Sequence, residues 1–362
     1  MGPVTERTPR QAGFRLAAEW EPHAACWLAW PHSEKLWGHY LQETRAAFTA
    51  LCVAIADSDQ ATGRPRGEAL HILVQEPADE SLAREALREV PAHFHRTPYG
   101  DVWLRDTGPL FVTRPDGAVA AVRFAFNGWG GKYLLEHDDL VAEHIARLSG
   151  LPTFSFPWVL EGGSIEVDGQ GTCLTTRQCL LNPNRNPGLD QRAIEAGLRD
   201  TLGVERVLWL DRGLVNDHTD GHVDTLARFV APAIVMCMEA AVPDDPNAAV
   251  LDRAARDLAS FSDAQGRSLT LVRIPSPGRI LDDEGQLMPA SYLNFYVGNR
   301  AVVVPVYGSP QDRSAVEIIG ACFPGRRTVA IRAAALVAGG GGAFHCITQQ
   351  VPAPGMKAGA DV

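Results

Sequence analysis

The sequence predicts an α/β fold in a single domain, built from a unit in which a hairpin, a helix and a further strand follow one another. Amphipathic helical segments alternate with short β-like runs along the whole chain of 362 residues. The unit recurs at intervals of roughly 50–70 residues, and no long linker or low-complexity stretch divides the chain. We therefore expect one domain over residues 1–353, followed by a loose C-terminal tail at 354–362.

The elements of the unit follow from periodicity. Two strand runs contain Asp-Gly between apolar residues, at 116–117 and 168–169, which is a good hairpin signal. Periodicity alone does not distinguish a doubly wound sheet from a barrel or a propeller. Helices are predicted at 41–57, 79–90, 137–150, 189–203, 246–261 and 311–323. Strands are predicted within 70–76, 110–126, 164–176, 206–210, 229–238, 294–308 and 328–333.

Composition and charge restrict the class of protein. Hydrophobic residues make up 46% of the chain and charged residues 21%, which is ordinary for a soluble globular protein. The 43 acidic residues outnumber the 33 basic ones, and the net charge of -10 argues against nucleic acid or an anionic membrane as partner. No apolar run is long enough for a signal peptide or a membrane span. The seven cysteines include no Cys-x-x-Cys pair, so we expect reduced thiols in the cytoplasm.

Acidic residues and glycines interrupt the apolar pattern in two short stretches. Asp101, Arg105 and Asp106 surround Trp103 in DVWLRDTGP (101–109). Glu161 precedes two glycines in EGGSIEVDGQG (161–171). Alone, these stretches are typical of a solvated turn with an Arg–Asp ion pair and of a turn that enters a hairpin. The functional alternative is a carboxylate at a strand end beside an aromatic wall, and a second carboxylate that glycines allow a ligand to approach.

The stretch NDHTDGHVDTLARF (216–229) places polar residues at alternate positions. If the chain is extended here, His218, Asp220, His222 and Asp224 lie on one face, because strand side chains repeat every two residues. That face is too polar for a core, and the apolar sequence directly after it disfavours an exposed edge strand. Two histidines and two aspartates are plausible ligands for zinc or manganese, although no diagnostic spacing such as HExxH is present.

Four consecutive glycines lead into a His-Cys pair in GGGGAFHCITQQVPA (339–353). A glycine run costs backbone entropy, so it indicates that the backbone passes close to a bound group beside a functional thiol, Cys346. The alternative is a flexible linker followed by an ordinary buried cysteine.

Carboxylates gathered at one site need a cation, which a metal or a substrate guanidinium would supply. With a thiol nucleophile available, the guanidinium accounts for more of these residues than a metal does.

Several long segments resemble the bacterial and plant agmatine deiminases. These enzymes belong to the guanidine-modifying superfamily, with arginine deiminases, bacterial peptidylarginine deiminases and amidinotransferases. The resemblance runs from about residue 12 to residue 353. It implies a five-bladed α/β-propeller, or pentein, of ββαβ-type modules around a pseudo-five-fold axis, with the active site near that axis. The segments that carry it are EWEPHAACWLAWP, DVWLRDTGP, FNGWGGKY, LEGGSIEVDGQGTCLTTRQCLLNPNRNP, DGHVDTLARF, ASYLNFYV, VPVYGSPQD and HCITQQVP.

The resemblance also implies roles for the polar residues. Cys346 matches the nucleophile and His222 the general acid and base. Glu161 matches the carboxylate that supports the histidine and the guanidinium, while Asp106 and Asp224 match the pair that clamps the guanidinium nitrogens. Neither a metal nor a cofactor is implied. Contacts to the substrate are expected from Trp103, Asp101, His218, Asp220, Gly341 and Gly342.

The activity that the resemblance implies is hydrolysis of agmatine to N-carbamoylputrescine and ammonia, through a thiouronium linked to the cysteine. Two departures from the family pattern bear on the substrate. The family's ETNGH is HTDGH here, with His218 in place of glutamate, and the family's GNIHC is GAFHC, with Ala343. The alternative substrates are free arginine, a peptidyl arginine or another guanidino-alkyl compound. An amidinotransferase, in which an amine replaces water, is a further alternative.

Two hypotheses belong to other functional classes. A metal-dependent hydrolase that uses Glu161, His218, Asp220 and His222 would lose activity with a chelator. A non-catalytic guanidine-binding protein would retain its affinity after Cys346→Ala. For the deiminase we expect a small cationic guanidine as partner, a homodimer as the assembly and the cytoplasm as the location.

Overall fold

The computed structural model describes residues 7–59, 64 and 66–354, so all but the first residue of the tail expected at 354–362 lies outside the described residues. The strands are short, and most lie within or next to the predicted runs. In chain order they are β1 (Arg15–Leu16), β2 (His23–Ala29), β3 (Ala69–Val74), β4 (Ala92–Arg96), β5 (Leu110–Thr113), β6 (Val119–Ala125), β7 (Thr153–Val159), β8 (Ile165–Val167), β9 (Thr172–Thr176), β10 (Arg206–Leu210), β11 (Ala227–Ala231), β12 (Ile234–Glu239), β13 (Thr270–Pro275), β14 (Tyr296–Val297), β15 (Ala301–Val306), β16 (Arg327–Arg332) and β17 (Gln349–Pro352).

The helices include the six that periodicity predicts and several single turns. Four turns of 3₁₀ helix also occur, at Gly38–Tyr40, Asp138–Leu140, Gly162–Ser164 and Val223–Thr225. The α-helices are α1 (Glu34–Trp37), α2 (Leu41–Ala56), α3 (Pro77–Ala86), α4 (Leu104–Thr107), α5 (Gly128–Gly131), α6 (Val141–Ser149), α7 (Arg177–Leu180), α8 (Gln191–Leu202), α9 (Ala248–Ser260), α10 (Asp312–Cys322) and α11 (Ala334–Gly340).

Within the described residues the strands form five separate sheets. Four of the sheets each contain a unit that is continuous in sequence: an antiparallel strand pair, a helix, and a strand parallel to the second strand of the pair. This order satisfies the rule that parallel neighbours need a crossover connection. The four units are β5–β6–α6–β7, β8–β9–α8–β10, β11–β12–α9–β13 and β14–β15–α10–β16.

The fifth unit joins the two ends of the described chain. Strand β17 pairs antiparallel with β2, placing Gln349 opposite Trp27, and α2 then leads from β2 to its parallel neighbour β3. Each unit therefore has the ββαβ order, and the mixed α/β fold that the sequence predicts is confirmed. The hairpins predicted at 116–117 and 168–169 connect β5 to β6 and β8 to β9.

Buried apolar side chains of helices and strands hold each unit together. In the fifth unit, Phe48, Leu51 and Ile55 of α2 belong to the same core cluster as Leu28 of β2 and Ile72 of β3. Burying a side chain of this kind contributes about 1.5–3 kcal/mol. Among the described residues, no helix has the length and apolar character required to cross a bilayer.

Candidate active site

Five polar side chains occupy equivalent places in the five units. Asp106, Glu161, Asp224, Asn294 and Cys346 each lie two to four residues before the first strand of a unit, namely β5, β8, β11, β14 and β17. Short turns at these places bring the side chains towards a cavity of about 260 Å³. The cavity is lined by Leu36, Asp101, Trp103, Asp106, Trp129, Tyr133, Leu135, Asp217, His218, Thr219, His222, Asp224, Thr225, glycines 339–342 and Cys346.

Four buried ionisable residues form what we call the open cluster: Asp106, Glu161, His222 and Asp224. Asp106, His222 and Asp224 line the cavity, and Glu161 lies behind His222, outside the lining. The ring of His222 lies between two carboxylates, with Nδ1 3.7 Å from Asp106 and Nε2 3.7 Å from Glu161. Neither ring nitrogen makes a hydrogen bond within the described part of the chain, and neither does Oδ1 of Asp224. Buried polar atoms are normally paired, so these three atoms indicate a site for a polar ligand.

Gly163 marks the point where the open cluster converges. A Cβ atom at this position would lie 2.6 Å from Nδ1 of His222 and 3.0 Å from a carboxylate oxygen of both Asp106 and Asp224. Any side chain here would therefore enter the space that the three polar groups face. This is the physical reason for the second glycine of the sequence EGG, and the first is constrained by the backbone of Arg105.

The charge balance of the open cluster favours a protonated histidine. Burial by itself disfavours the imidazolium, but the charges of Asp106 and the contacts to Glu161 outweigh it and hold the pKa of His222 well above its usual range. Burial raises the pKa of Asp106, and the charges of Glu161 and Asp224 add to this effect. A second cation at this point would relieve the repulsion among the carboxylates.

The other two carboxylates of the open cluster are held ionised by neighbouring cations. Burial opposes ionisation of both, yet His222 and Arg185 lower the pKa of Glu161, and His345 lowers the pKa of Asp224. Nε of Arg185 donates to Glu161 at 2.7 Å. Nδ1 of His345 lies 2.7 Å from Oδ2 of Asp224. The cluster thus offers carboxylates and a proton donor to a cationic ligand.

Cys346 is positioned by Asn294, which the sequence analysis quoted within ASYLNFYV but gave no role. The Asn294 side chain accepts from the backbone N–H of Ala343 at 2.9 Å and donates to Sγ of Cys346 at 3.0 Å. The thiol lies 3.4 Å from Oδ2 of Asp224. Burial raises the pKa of Cys346 well above its usual range, and the charges of Asp224 and Asp106 raise it further. These effects disfavour the thiolate in the free protein.

The glycine run is constrained by aromatic rings and by the thiol. A Cβ at Gly340 would lie 2.1 Å from the ring of Trp103, and one at Gly342 would lie 2.7 Å from that ring and 3.0 Å from Sγ of Cys346. Gly341 has a positive φ of 87° and ends α11. The run is therefore a tightly packed cavity wall, with Gly341 and Gly342 among the lining residues, and the flexible-linker alternative is wrong.

Two aspartates orient the tryptophans of the cavity wall. Asp101 accepts from the indole N–H of Trp37 at 3.0 Å and from that of Trp103 at 2.8 Å. Asp106 accepts from the indole N–H of Trp129 at 2.8 Å. Asp101 and Trp103 therefore both line the cavity, but the carboxylate of Asp101 is already engaged by the two indoles.

The expectation of an extended segment at 218–224 is wrong. The chain turns there, because Asn216, Asp220 and Gly221 have positive φ values of 59°, 66° and 89°. Asp217 stabilises the turn, and its carboxylate accepts from the backbone N–H of His222 at 3.1 Å. The polar residues at 218–224 consequently do not share one face.

The turn separates the side chains that alternation would align. His218 lines the cavity together with His222 and Asp224. Asp220 is not among the lining residues, because its carboxylate binds Lys132 at 2.8 Å and Arg185 at 2.6 Å. Asp220 therefore holds Arg185 against the open cluster from behind the cavity wall.

A cluster of possible metal ligands lies beside the cavity. The ligand atoms of Glu161, Cys179 and His222 lie within 4.8 Å of one another. Glu161 and His222 belong to the ligand set expected for a metal-dependent hydrolase. The other two members of that set, His218 and Asp220, are not part of this cluster. Arg185 already supplies a cation to Glu161, and its charge would repel a divalent ion. The donor set thus fits a metal poorly.

Below the cavity floor lies a second buried group, which we call the closed cluster: Glu19, Arg105, Glu166, Arg228 and His345. Arg228 bridges the two glutamates, donating to Glu19 and, at 2.8 Å, to Glu166. Arg105 lies 3.1 Å from Glu19 and is buried, so the alternative of a solvated turn with an Arg–Asp ion pair does not apply among the described residues. The arginines neutralise the carboxylates, so this group has no place for a further cation.

Known proteins resemble this chain in sequence and in structure. Residues 15–352 match the family model of the Porphyromonas-type peptidyl-arginine deiminases. The chain is 38% identical over 370 residues to the agmatine deiminase of Ectopseudomonas mendocina, covering 96% of this chain and 98% of that protein. It is also 38% identical over 374 residues to the agmatine deiminase of Stutzerimonas stutzeri, covering 97% and 98%.

A solved structure gives the same result for the fold. The agmatine deiminase of Enterococcus faecalis superimposes with a TM-score of 0.88 at 34% identity, covering 97% of this chain and 99% of that chain. An amidinotransferase from Microseira wollei, at 12% identity and a TM-score of 0.50, shares the fold only. From the family model and the full-length identity, the chain belongs to the Porphyromonas-type peptidyl-arginine deiminase family, together with the agmatine deiminases.

Proposed function

We propose that the protein is an agmatine deiminase, a hydrolase that converts agmatine and water to N-carbamoylputrescine and ammonia. The observation that carries the proposal is the open cluster, in which carboxylates and a histidine with unpaired nitrogens face one cavity beside a buried thiol. A guanidinium matches this arrangement because its planar N–H groups bind carboxylates and its charge offsets theirs. The full-length similarity to agmatine deiminases supports agmatine as the guanidine.

In the first half-reaction the thiolate of Cys346 attacks the central guanidinium carbon. Asp106 and Asp224 hold the guanidinium nitrogens, and the bound cation lowers the pKa of the thiol, which burial and carboxylates raise in the free protein. The thiol therefore loses its proton to solvent when the substrate binds. A C–S bond forms, and His222 donates its proton to the departing nitrogen. The C–N bond breaks, ammonia leaves, and an S-alkylthiouronium remains on the enzyme.

In the second half-reaction water replaces the sulfur. His222, now neutral, takes a proton from water as the water oxygen attacks the thiouronium carbon. The C–S bond breaks and releases the thiolate and an O-protonated ureido group. This group passes its proton to the sulfur, so the neutral ureido product leaves and the thiol is restored. Glu161, held by Arg185, faces His222 on the side opposite Asp106 and stabilises its protonated form in each cycle.

We also propose the finer architecture that the resemblance implies. Five ββαβ units, one of them formed by β17 with β2 and β3, support a five-bladed propeller around a pseudo-five-fold axis. The same pairing of distant segments supports one catalytic domain over residues 1–353. The residues proposed to contact the substrate beyond the open cluster are Trp103, His218, Gly341 and Gly342. The homodimer and the cytoplasmic location stay predictions.

Parallel assays with agmatine, L-arginine and a peptidyl arginine, all in EDTA, test the proposal. Ammonia and the ureido product are quantified for the wild type and for Cys346→Ala. We expect chelator-resistant turnover of agmatine that the substitution abolishes. Turnover of another guanidine would retain the mechanism and correct the substrate. Loss of activity with EDTA, or no turnover of any guanidine, would overturn the deiminase assignment.

A further inference from the structure

His345 connects the open cluster to the closed cluster. Its Nδ1 lies 2.7 Å from Oδ2 of Asp224, and its Nε2 lies 2.6 Å from Oε1 of Glu19. The imidazole is 1% exposed, so solvent does not compete for either contact. A ring with both nitrogens at hydrogen-bond distance from carboxylates links two parts of the molecule that are 326 residues apart in sequence.

Counting protons fixes the charge of this link. Each of the two N···O contacts requires a hydrogen, and a neutral imidazole carries only one N–H. The second proton must therefore reside on the ring or on one of the carboxylates. Glu19 also accepts from Arg228 and forms an ion pair with Arg105 at 3.1 Å, which favours its ionised form. Two ionised carboxylates around a doubly protonated His345 satisfy all of these contacts.

The contact made by His345 decides which oxygen of Asp224 remains available. Oδ2 of Asp224 faces three donors: Nδ1 of His345 at 2.7 Å, the Asn294 amide at 3.1 Å and the thiol of Cys346 at 3.4 Å. Oδ1 has no partner among the described residues, although it is fully buried. The carboxylate is thus fixed in orientation, with one oxygen occupied from below and the other free for a ligand.

We propose that Glu19 and His345 are positioning residues of this active site, which keep Asp224 ionised and oriented so that its free oxygen binds the substrate guanidinium. This inference rests on the proposed function and assigns roles to two residues outside the cavity lining. Without the charge of His345, Asp224 would be a buried carboxylate beside Asp106 and would take up a proton. A neutral Asp224 would no longer attract the guanidinium.

Other charged groups surround Glu19 and His345, which we call the dyad. These groups also influence the pH range in which the dyad keeps Asp224 ionised. Burial raises the pKa of Glu166 to about 8, against the opposing charge of Arg228. Since these groups are shared by wild type and variants, a comparison of pH profiles isolates the dyad. The groups that face Glu19, His345 and Asp224 are Arg105, Arg228, Glu166, Cys346, Asp106 and His222.

The test is the pH dependence of kcat/KM for agmatine in His345→Asn and Glu19→Gln. Asparagine retains an N–H donor near the position of Nδ1 but carries no charge, and glutamine retains the shape of Glu19. Since the active form needs an ionised Asp224, activity is lost as the pH falls through the pKa of that residue. We expect this acid limb to move to higher pH by about one unit or more, and kcat/KM at pH 7 to fall at least about tenfold.

Thr348→Val is the matched control. Its hydroxyl donates to the carbonyls of Phe344 and His345 in the same buried segment and makes no contact with Asp224. If Thr348→Val disturbs the backbone, activity should fall by the same factor at every pH value. The midpoint of the acid limb of kcat/KM should therefore stay where it is in the wild type. An unmoved limb in folded His345→Asn and Glu19→Gln, or a limb that moves equally in Thr348→Val, would overturn the proposal.

A second measurement separates this proposal from the proposed function. Infrared difference titration of the wild type against Asp224→Asn reports the ionisation of Asp224 without any substrate. We expect the Asp224 band to titrate at higher pH in Glu19→Gln than in the wild type, and an equal midpoint would refute the dyad. Absence of turnover with an Asp224 band that shifts as expected would refute the deiminase function and retain the positioning role.

Discussion

The open and closed clusters are neighbouring sets of buried charges, but only in the closed cluster does every described side chain have a hydrogen-bond partner. In the closed cluster, two arginines and one histidine face Glu19 and Glu166, and every side chain is hydrogen-bonded. In the open cluster, the nitrogens of His222 and one oxygen of Asp224 have no partner within the described residues. Both sets are equally removed from solvent. The difference therefore lies in pairing and not in burial.

This difference indicates what each cluster contributes. Removing one partner of a fully paired buried group leaves an uncompensated charge, so the closed cluster should matter for folding. Unpaired groups cost stability in the free protein, and this cost is relieved when a ligand of matching charge binds. The open cluster should therefore matter for activity and contribute little to stability.

Arg228→Met is the strongest test of the closed cluster. The substitution removes the cation between Glu19 and Glu166, and we expect the free energy of unfolding to fall by about 3–5 kcal/mol. Urea denaturation measures this loss. Arg253→Ala is the control, because its ion pair with Asp257 lies on an exposed helix face and should contribute less than about 1 kcal/mol. Equal losses in the two variants would show that the closed cluster is not a stabilising unit.

Gly163→Ala tests the open cluster, where we expect a loss of activity and not of stability. The methyl group would lie 2.6 Å from Nδ1 of His222, so the ring or the substrate must shift. A displacement of about 1 Å can lower the rate of reaction about 100-fold, and we expect a loss of that order in kcat/KM with little change in unfolding free energy. Gly188→Ala, whose added Cβ meets no atom within 4 Å, should behave like the wild type. Wild-type kcat/KM in Gly163→Ala would contradict the assigned position of the substrate.

The comparison also explains what the sequence could and could not predict. Periodicity located β10 with its observed bounds and found α2, α8, α9 and α10 within a few residues. It did not detect β2, β7 or β17, where buried side chains on both faces or irregular polarity hide the two-residue repeat. It did not detect α11 either, because that helix ends in the glycines that favour other conformations.

For the site, the sequence supplied the residues that stand out against apolar surroundings. Asp106, Glu161 and Asp224 are carboxylates in otherwise apolar or glycine-rich stretches, and the structure brings them together with Cys346. Asn294 was missed because one amide in an apolar run carries little signal by itself. Its position before β14, equivalent to those of the carboxylates, could have identified it once the β14–β15–α10–β16 unit was recognised as a repeat of the others.

The closed cluster could not be predicted from spacing at all. Glu19 and His345 meet only because β17 returns to pair with β2, a contact between the two ends of the chain. The prediction of an extended segment at 218–224 was wrong because of the local backbone conformation. A two-residue repeat of polar residues does not reveal the positive φ of Asp220 and Gly221, which turns the chain.

Asp138 offers a smaller test of the same principle outside both clusters. Its Oδ1 accepts from the backbone N–H of Gly100 at 2.8 Å, while its Oδ2 is buried without a partner among the described residues. Burial raises the pKa of Asp138 to about 7. A carboxyl whose pKa is raised on folding stabilises the protein at pH values below its unfolded pKa, and this stability is lost as the pH rises through the folded pKa. The relevant window is therefore from about pH 4 to pH 7.

Asp138→Asn should abolish this pH dependence, because the amide can still accept from Gly100 and has no charge to bury. We expect the variant to match the wild type near pH 4 and to exceed its free energy of unfolding by about 4 kcal/mol at pH 8. Urea denaturation across this range measures the difference, with Asp244→Asn, at an exposed position that does not contribute to the pKa of Asp138, as control. A difference that stays constant with pH would mean that the unpaired oxygen of Asp138 is solvated in the folded protein. The link between missing partners and cost, on which the contrast of the two clusters depends, would then not hold at this residue.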